Sequence, residues 1–185
     1  VHEHAGGLNR LNVYPVPDGD TGTNMARTLD AVVAEMDGAD ESDLDAVCDA
    51  ISHGSLMGAR GNSGVILSQI LRGFASTLKE HAEGTGHKVA EALTAASTGA
   101  YQAVLKPIEG TILTVARESA EAARQASQDG ASLVEVLRAA RTAGRSALDR
   151  TPELLPVLKD AGVVDAGGAG YLLMLDAAMH VVDGD

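Results

Sequence analysis

Two carboxylates, Asp18 and Asp20, stand one residue apart in the stretch Leu11-Asn12-Val13-Tyr14-Pro15-Val16-Pro17-Asp18-Gly19-Asp20-Thr21-Gly22-Thr23-Asn24-Met25. Carboxylates at i and i+2 in a loop direct hard oxygen ligands into one small volume, as Mg²⁺ or Ca²⁺ requires. Gly19 and Gly22 let the backbone come close to whatever such an ion holds. Thr21, Thr23 and Asn24 add small hydrogen-bonding groups where a helix begins, and helix N-termini favour anions. Asn12 offers a neutral oxygen to the same ion if the Pro15–Pro17 turn folds back. The pattern reads as a metal–phosphate site. Its plainer alternative is a turn followed by an N-cap, which Asp, Gly and Thr also favour.

Three further stretches share the Gly-plus-small-polar character. Arg60-Gly61-Asn62-Ser63-Gly64 resembles an anion-holding turn leading into a helix, although no G-x-x-x-x-G-K-[ST] pattern occurs anywhere in the chain. Glu109-Gly110-Thr111 and Asp165-Ala166-Gly167-Gly168 each read alone as an ordinary helix start. The six histidines, His2, His4, His53, His81, His87 and His180, show no zinc spacing, and His53 reads as a packed or solvated side chain. No residue stands out as a covalent nucleophile.

The elements that must position these groups are helices. Apolar residues recur with helical period over 22–37, 42–58, 63–81, 87–105, 110–127, 131–148 and 167–182, with a short remnant before Leu11 and a Pro-bounded turn near 152–160. Breakers separate them at Asp37-Gly38-Ala39-Asp40, Glu83-Gly84-Thr85-Gly86, Lys106-Pro107-Ile108-Glu109-Gly110 and Asp129-Gly130. No strand pattern and no low-complexity linker appears, so residues 1–185 are expected to form a single all-α domain, a bundle or barrel. Short connections make consecutive helices antiparallel. Counting the remnant as the first helix, the second, fourth, sixth and eighth then begin at one end, and these four carry the Gly-rich approaches. Four partial positive charges and their free N–H groups would make a phosphate-binding end.

Composition narrows the class. Hydrophobic residues make up 45% of 185, yet there is one Phe, Phe74, and no Trp, so the core is aliphatic and suits close helix packing. With 26 acidic against 14 basic residues the net charge is −12, which argues against nucleic acid or an anionic membrane as partner. The single cysteine, Cys48, forms no internal disulfide and lies in an apolar-periodic run, as a small buried hydrophobe. No signal peptide or membrane-length apolar run is evident, and a cytoplasmic location is expected.

At these motifs the chain resembles the nucleotide-binding domain of dihydroxyacetone kinases, the L-subunit or C-terminal domain. The nearer likeness is to the N-terminal ATP-binding domain of bacterial fatty acid kinases. The blocks that carry it are Leu11 to Met25, Leu56 to Gln69, Lys106 to Val115, and Thr151 through Gly170, spanning almost the whole chain. The resemblance implies an up-and-down antiparallel eight-helix barrel, its first helix largely absent here and the barrel open on that side. It also implies ATP or ADP held with two Mg²⁺ at one end. Asp18 and Asp20 would bind Mg²⁺ on the phosphates. A further family aspartate falls near Asn12, where this chain departs. Thr21, Thr23, Asn24, Asn62, Ser63 and Gly64 would surround the phosphates. Thr111 and Ile112 would line the nucleotide, and Asp165 and Gly167 would approach its base or ribose. The expected activity is transfer of the ATP γ-phosphate to an acceptor presented by a partner, a fatty acid carboxylate in the nearer branch. The alternatives are triose phosphorylation on a partner subunit and a non-catalytic ADP-binding regulatory module.

Overall fold

The chain folds into helices because its apolar positions keep the 3.6-residue period and several of the long helices are capped by their own N-cap side chains. Asp43 accepts from Asp45 and Ala46 N–H, Thr85 from Lys88 N–H, and Ser132 and Glu135 form a reciprocal capping box. The structure, a computed structural model, describes residues 1–79 and 84–184. A 3₁₀ turn, His2–His4, leads into α1 (Ala5–Leu11), α2 (Thr21–Met36), α3 (Leu44–Gly58), α4 (Gly61–Leu78), α5 (Gly86–Gln102), α6 (Ile112–Gln128), α7 (Leu133–Asp149), two short helices α8 (Thr151–Leu154) and α9 (Pro156–Ala161), and α10 (Ala166–Asp183). The all-α expectation holds, and no strand occurs among the described residues. The turn expected near 152–160 is two helical segments, each opened by a proline in its first turn. The end of the expected 63–81 helix, with His81, and Glu83 of the breaker after it lie outside the described residues.

Register settles the helix directions. Gly54 and Gly58 of α3 lie against Ala31 and Thr28 of α2, respectively, and Gly73 and Gly99 bring α4 and α5 together at Ala95 and Gln69. In both pairs the sequence numbers run in opposition, so the neighbours are antiparallel. Leu148, Gly144, Arg141 and Arg138 of α7 meet Gly168, Leu172, Asp176 and Asp183 of α10 in the same antiparallel order. Across the ring the order reverses. Gly61 and Gly64 meet Asn24 and Thr28, while Gly167 and Gly168 meet Ile112 and Val115, so α2 runs parallel to α4 and α6 to α10. Gly170 against Met25 brings the N-terminal turns of α10 and α2 together. The starts of α2, α4, α6 and α10 therefore share one end.

Glycine and alanine at the crossings let helix backbones approach, and aliphatic side chains fill the centre. Met25, Leu67, Val115, Val136 and Met179 are fully buried there, with Ala92, Ala100, Ala123, Ala140 and Ala147 between them. Cys48 is buried, as its run suggested. The short α1 does not leave its seam empty at the shared end. Leu8 packs against Gly22 of α2 and Gly170 of α10, and Asn9 bonds to Thr23. No helix among the described residues is long and apolar enough to cross a membrane.

Candidate functional site

The loop before α2 is held by asparagines. Asn12 is buried; its Oδ1 accepts from Thr21 N–H at 3.0 Å and from the Thr21 hydroxyl, while its Nδ2 donates to Val16 O at 2.7 Å. Asn9, which the sequence reading passed over, accepts from Thr23 N–H at 3.1 Å and donates to Thr23 Oγ1 at 2.9 Å. Asn9 and Asn12 sit three residues apart at the end of α1, one helical turn, and that spacing was the available signal. Thr21 and Thr23 are thus occupied in fixing the start of α2. Both lone pairs of Asn12 Oδ1 are taken by Thr21, so in this arrangement Asn12 clamps the loop and is not free to ligate an ion. Asp18 and Asp20 stay exposed, with no hydrogen bond or ion pair to either carboxylate among the described residues.

The start of α4 is built differently. Arg60 occupies the N-cap position with no side-chain cap, and its guanidinium lies on the carbonyls of Ala59 (2.9 Å) and Met57 (3.4 Å). The N–H groups of Gly61, Asn62 and Ser63 meet no acceptor among the described residues; the first bonded amide of the helix is Gly64, to Arg60 O at 2.9 Å. Gly61 takes φ +60°, and the Asn24 side chain comes so close to it that a Cβ there would fall on Nδ2. Asn24 is buried, with no hydrogen-bond partner for its amide among the described residues. Gly64 is buried against Thr28. An uncapped helix start, a side-chain amide without a protein partner among the described residues and two exposed carboxylates thus share one corner.

At α6 and α10 the starts are closed. Thr111 donates to Ile108 O at 2.8 Å and accepts from Leu113 N–H. Below it Glu109 accepts from Thr114 Oγ1 (2.6 Å), Tyr101 OH (2.7 Å) and Arg117 (3.2 Å). Burial alone would raise the Glu109 pKa, but these hydrogen bonds outweigh it and hold the carboxyl below its ordinary value. Asp165 caps its own helix through Gly168 N–H at 2.7 Å and is fully buried. Burial pushes its pKa up to about 6, opposed by the N–H groups of Gly168 and, in a looser approach, Ile112. The carboxylate therefore bonds the start of α10 and lies beside the start of α6, facing the partial positive charge of both. Gly167 packs on Ile112 beside it.

The four approaches expected to converge do so through Asn24–Gly61, Met25–Gly170 and Ile112–Gly167. His53 is elsewhere, bonded to Glu35 at 2.8 Å near the C-terminal end of α2. A groove of about 770 Å³ runs along α5, lined by Gln69, Arg72, His87, Thr94, Thr98 and Arg124 among others, and none of the expected site residues lines it. It exists because the outward face of α5 is Thr, Ala and Gly. Among the described residues no three His, Cys, Asp or Glu side chains converge as a metal cage. The donor set at Asp18 and Asp20 still suits Mg²⁺, which keeps several waters and needs only one or two carboxylates beside phosphate oxygens.

The structure is thus an all-helical domain with four long helix starts at one end, one of them open near two exposed carboxylates. Comparison with known proteins makes the class specific: the DAK2 domain matches residues 15–180, and the chain belongs to that family, the dihydroxyacetone kinase L-subunit family, which is associated with kinase subunits. Protein YloV of Bacillus subtilis (strain 168) is 44% identical over 185 residues, all of this chain and 34% of that protein. Uncharacterised proteins of Staphylococcus saprophyticus and Staphylococcus aureus (strain USA300) are each 42% identical, over 185 and 178 residues. The match covers 100% and 96% of this chain, and 34% and 32% of those proteins. The chain thus spans about a third of the length of the curated relatives it matches.

Proposed function

We propose that residues 1–185 are one ATP- and Mg²⁺-binding kinase domain of the cytoplasm, acting on an acceptor that a partner protein presents, most specifically the carboxylate of a fatty acid. The observation that carries the reading is the uncapped start of α4 beside Asp18 and Asp20, where the starts of α2, α6 and α10, the other three long helices beginning at that end, are each met by a side chain. The polyphosphate belongs at the open corner, on Gly61, Asn62 and Ser63 N–H and the Asn24 amide. The uncharged nucleoside belongs toward Thr111, Ile112 and Gly167, where Asp165 cancels the helix charge. Mg²⁺, when bound by Asp18 and Asp20, supplies charge neutralisation on the β- and γ-phosphates.

Two features of the same end favour a partner. Exposed apolar side chains ring it, including Val16, Met57, Val65, Leu105 and Ile108, with Leu105 fully exposed. Arg10, Arg60, Lys106 and Lys159, also at that end, have no carboxylate partner among the described residues, although the chain is strongly acidic. An apolar rim with free cations suits a protein that delivers an anionic acceptor. Titration calorimetry with Mg-ADP tests the site: the wild-type chain is expected to bind and Asp18→Ala and Asp20→Ala to lose Mg²⁺-dependent binding. Unchanged affinity in both variants would overturn the assignment. Transfer from ATP to a fatty-acid-loaded partner, and not to dihydroxyacetone on a triose-binding subunit, is the result expected for the acceptor.

A further inference from the structure

Asp165 stands where three parts of the fold meet. Its carboxylate accepts from Gly168 N–H, and the Ile112 N–H of α6 bears on it from the other helix. Its own N–H donates to Thr151 Oγ1 at 3.1 Å, and that hydroxyl donates to Leu148 O at 2.7 Å. One residue therefore ties the start of α6, the α7–α8 corner and the start of α10. The fit is close, since a Cβ on Gly167 would lie 3.3 Å from both Asp165 Oδ2 and Ile112 Cβ.

We propose that Asp165 is a positioning residue: its ionised carboxylate holds the starts of α6 and α10 at the spacing that grips the nucleoside, and its protonation loosens that grip. The proposal rests on the nucleotide site argued above. An ionised carboxylate has acceptor oxygens for both N–H groups, whereas the neutral acid keeps one carbonyl oxygen and turns an O–H toward the second donor. Protonation therefore frees one helix start. Burial places the change near pH 6 instead of the ordinary 3.8.

No charged side chain sets that value, which burial and two backbone N–H groups account for. The charged groups on the elements around it are engaged with one another or turned outward. From the α6 side, Glu109, Arg117 and Glu118 pair among themselves and with Arg150 of the α7–α8 corner. Asp149 and Glu153 of that corner, and Lys159 and Asp160 of α9, are exposed, as are Asp18 and Asp20 before α2. On α10 itself the nearest is Tyr171, a buried phenol facing Ser119 whose burial raises its pKa above the ordinary value, and the nearest charge is Asp176, paired with Arg141.

The test compares wild type with Asp165→Asn by Mg-ADP calorimetry between pH 5 and 8. The ratio of the two affinities removes the titration of ADP itself. The ratio is expected to be about tenfold at pH 8 and to approach one at pH 5, with a midpoint near 6, as one lost charge-assisted hydrogen bond implies. A ratio constant across the range overturns the proposal. Should the variant not fold, the amide resonances of Ile112 and Gly168 in the free wild-type chain decide it. They are expected to move together with one midpoint near pH 6, and no movement would overturn the clamp. Absence of Mg-ADP binding by wild type at pH 8 would instead sink the nucleotide site, a separate outcome from the amide titration.

Discussion

Replacing Gly61 by alanine tests the open corner at its narrowest point. Gly61 holds φ +60°, a left-handed conformation that costs an L-residue about 1–2 kcal/mol. The new methyl would fall on Asn24 Nδ2 and lie 3.1 Å from Asn24 Cγ. Asn24 is buried, so moving it is an overpacking event of about 1–2 kcal/mol. The sum is about 2–4 kcal/mol, which in a domain of this size lowers Tm by roughly 5–15 °C. Because Asn24 and Gly61 both border the unbonded amides of α4, Mg-ADP affinity is expected to fall at least tenfold as well. Gly130→Ala is the control: Gly130 has φ +81° with nothing within 4 Å of a built Cβ, so only the conformational cost applies. Differential scanning calorimetry and Mg-ADP titration on both variants read the two effects. If Gly61→Ala behaves like Gly130→Ala, with a small loss of Tm and unchanged affinity, the corner is not a binding site.

Three other substitutions separate positioning from packing. Asn12→Ala strands the buried Thr21 N–H and hydroxyl; urea unfolding should show a loss of about 2–4 kcal/mol, and a change under 0.5 would mean water replaces the clamp at no cost. Arg117→Ala removes one of the three donors on Glu109; the carboxyl titration, followed by NMR, should move up toward its ordinary value, with Mg-ADP affinity falling only a few-fold. Gly58→Ala puts a methyl into Ala31 Cβ and should cost about 1–3 kcal/mol by forcing α2 from α3, so an unchanged Tm would contradict the register given above.

The fold was legible because two independent patterns agreed. Helical periodicity located the helices, and breaker spacing fixed their alternation, which together put four particular starts at one end. The short α8 and α9 were blurred into a turn because Pro152 and Pro156 interrupt a run too short to show a period. The site was legible as a set of stretches but not in its internal division of labour. Nothing in the sequence says that Asn12 faces Thr21 and not an ion, since Asn serves equally as ligand and as cap. Nor does it say that α4, alone of the four long starts at that end, meets no side chain, because Ser63 looks like a cap until the structure shows Arg60 in that position. Asp165 carried a helix-start signal, which is correct, but its reach to Ile112 joins residues far apart in sequence and has no local signature.

Asp165 also sets stability against function, in a direction that can be measured. Its pKa of about 6 against an ordinary 3.8 means the fold prefers the neutral acid. The stability this preference contributes is fully present below pH 3.8 and is lost as pH rises through 6. That loss amounts to at most about 3 kcal/mol. Asparagine stays neutral at every pH, so Asp165→Asn should lack this loss. About half of the loss has already occurred by pH 5, so compared with wild type its Tm should be about 3–5 °C better placed at pH 8 than at pH 5. The same variant is expected to hold Mg-ADP less tightly at pH 8, so one substitution should raise relative stability while lowering affinity. Packing alone predicts the opposite, a loss of Tm equal at both pH values with affinity following stability. A buried charge kept at a cost, at the two helix starts proposed to face the nucleoside, would be explained by what it positions.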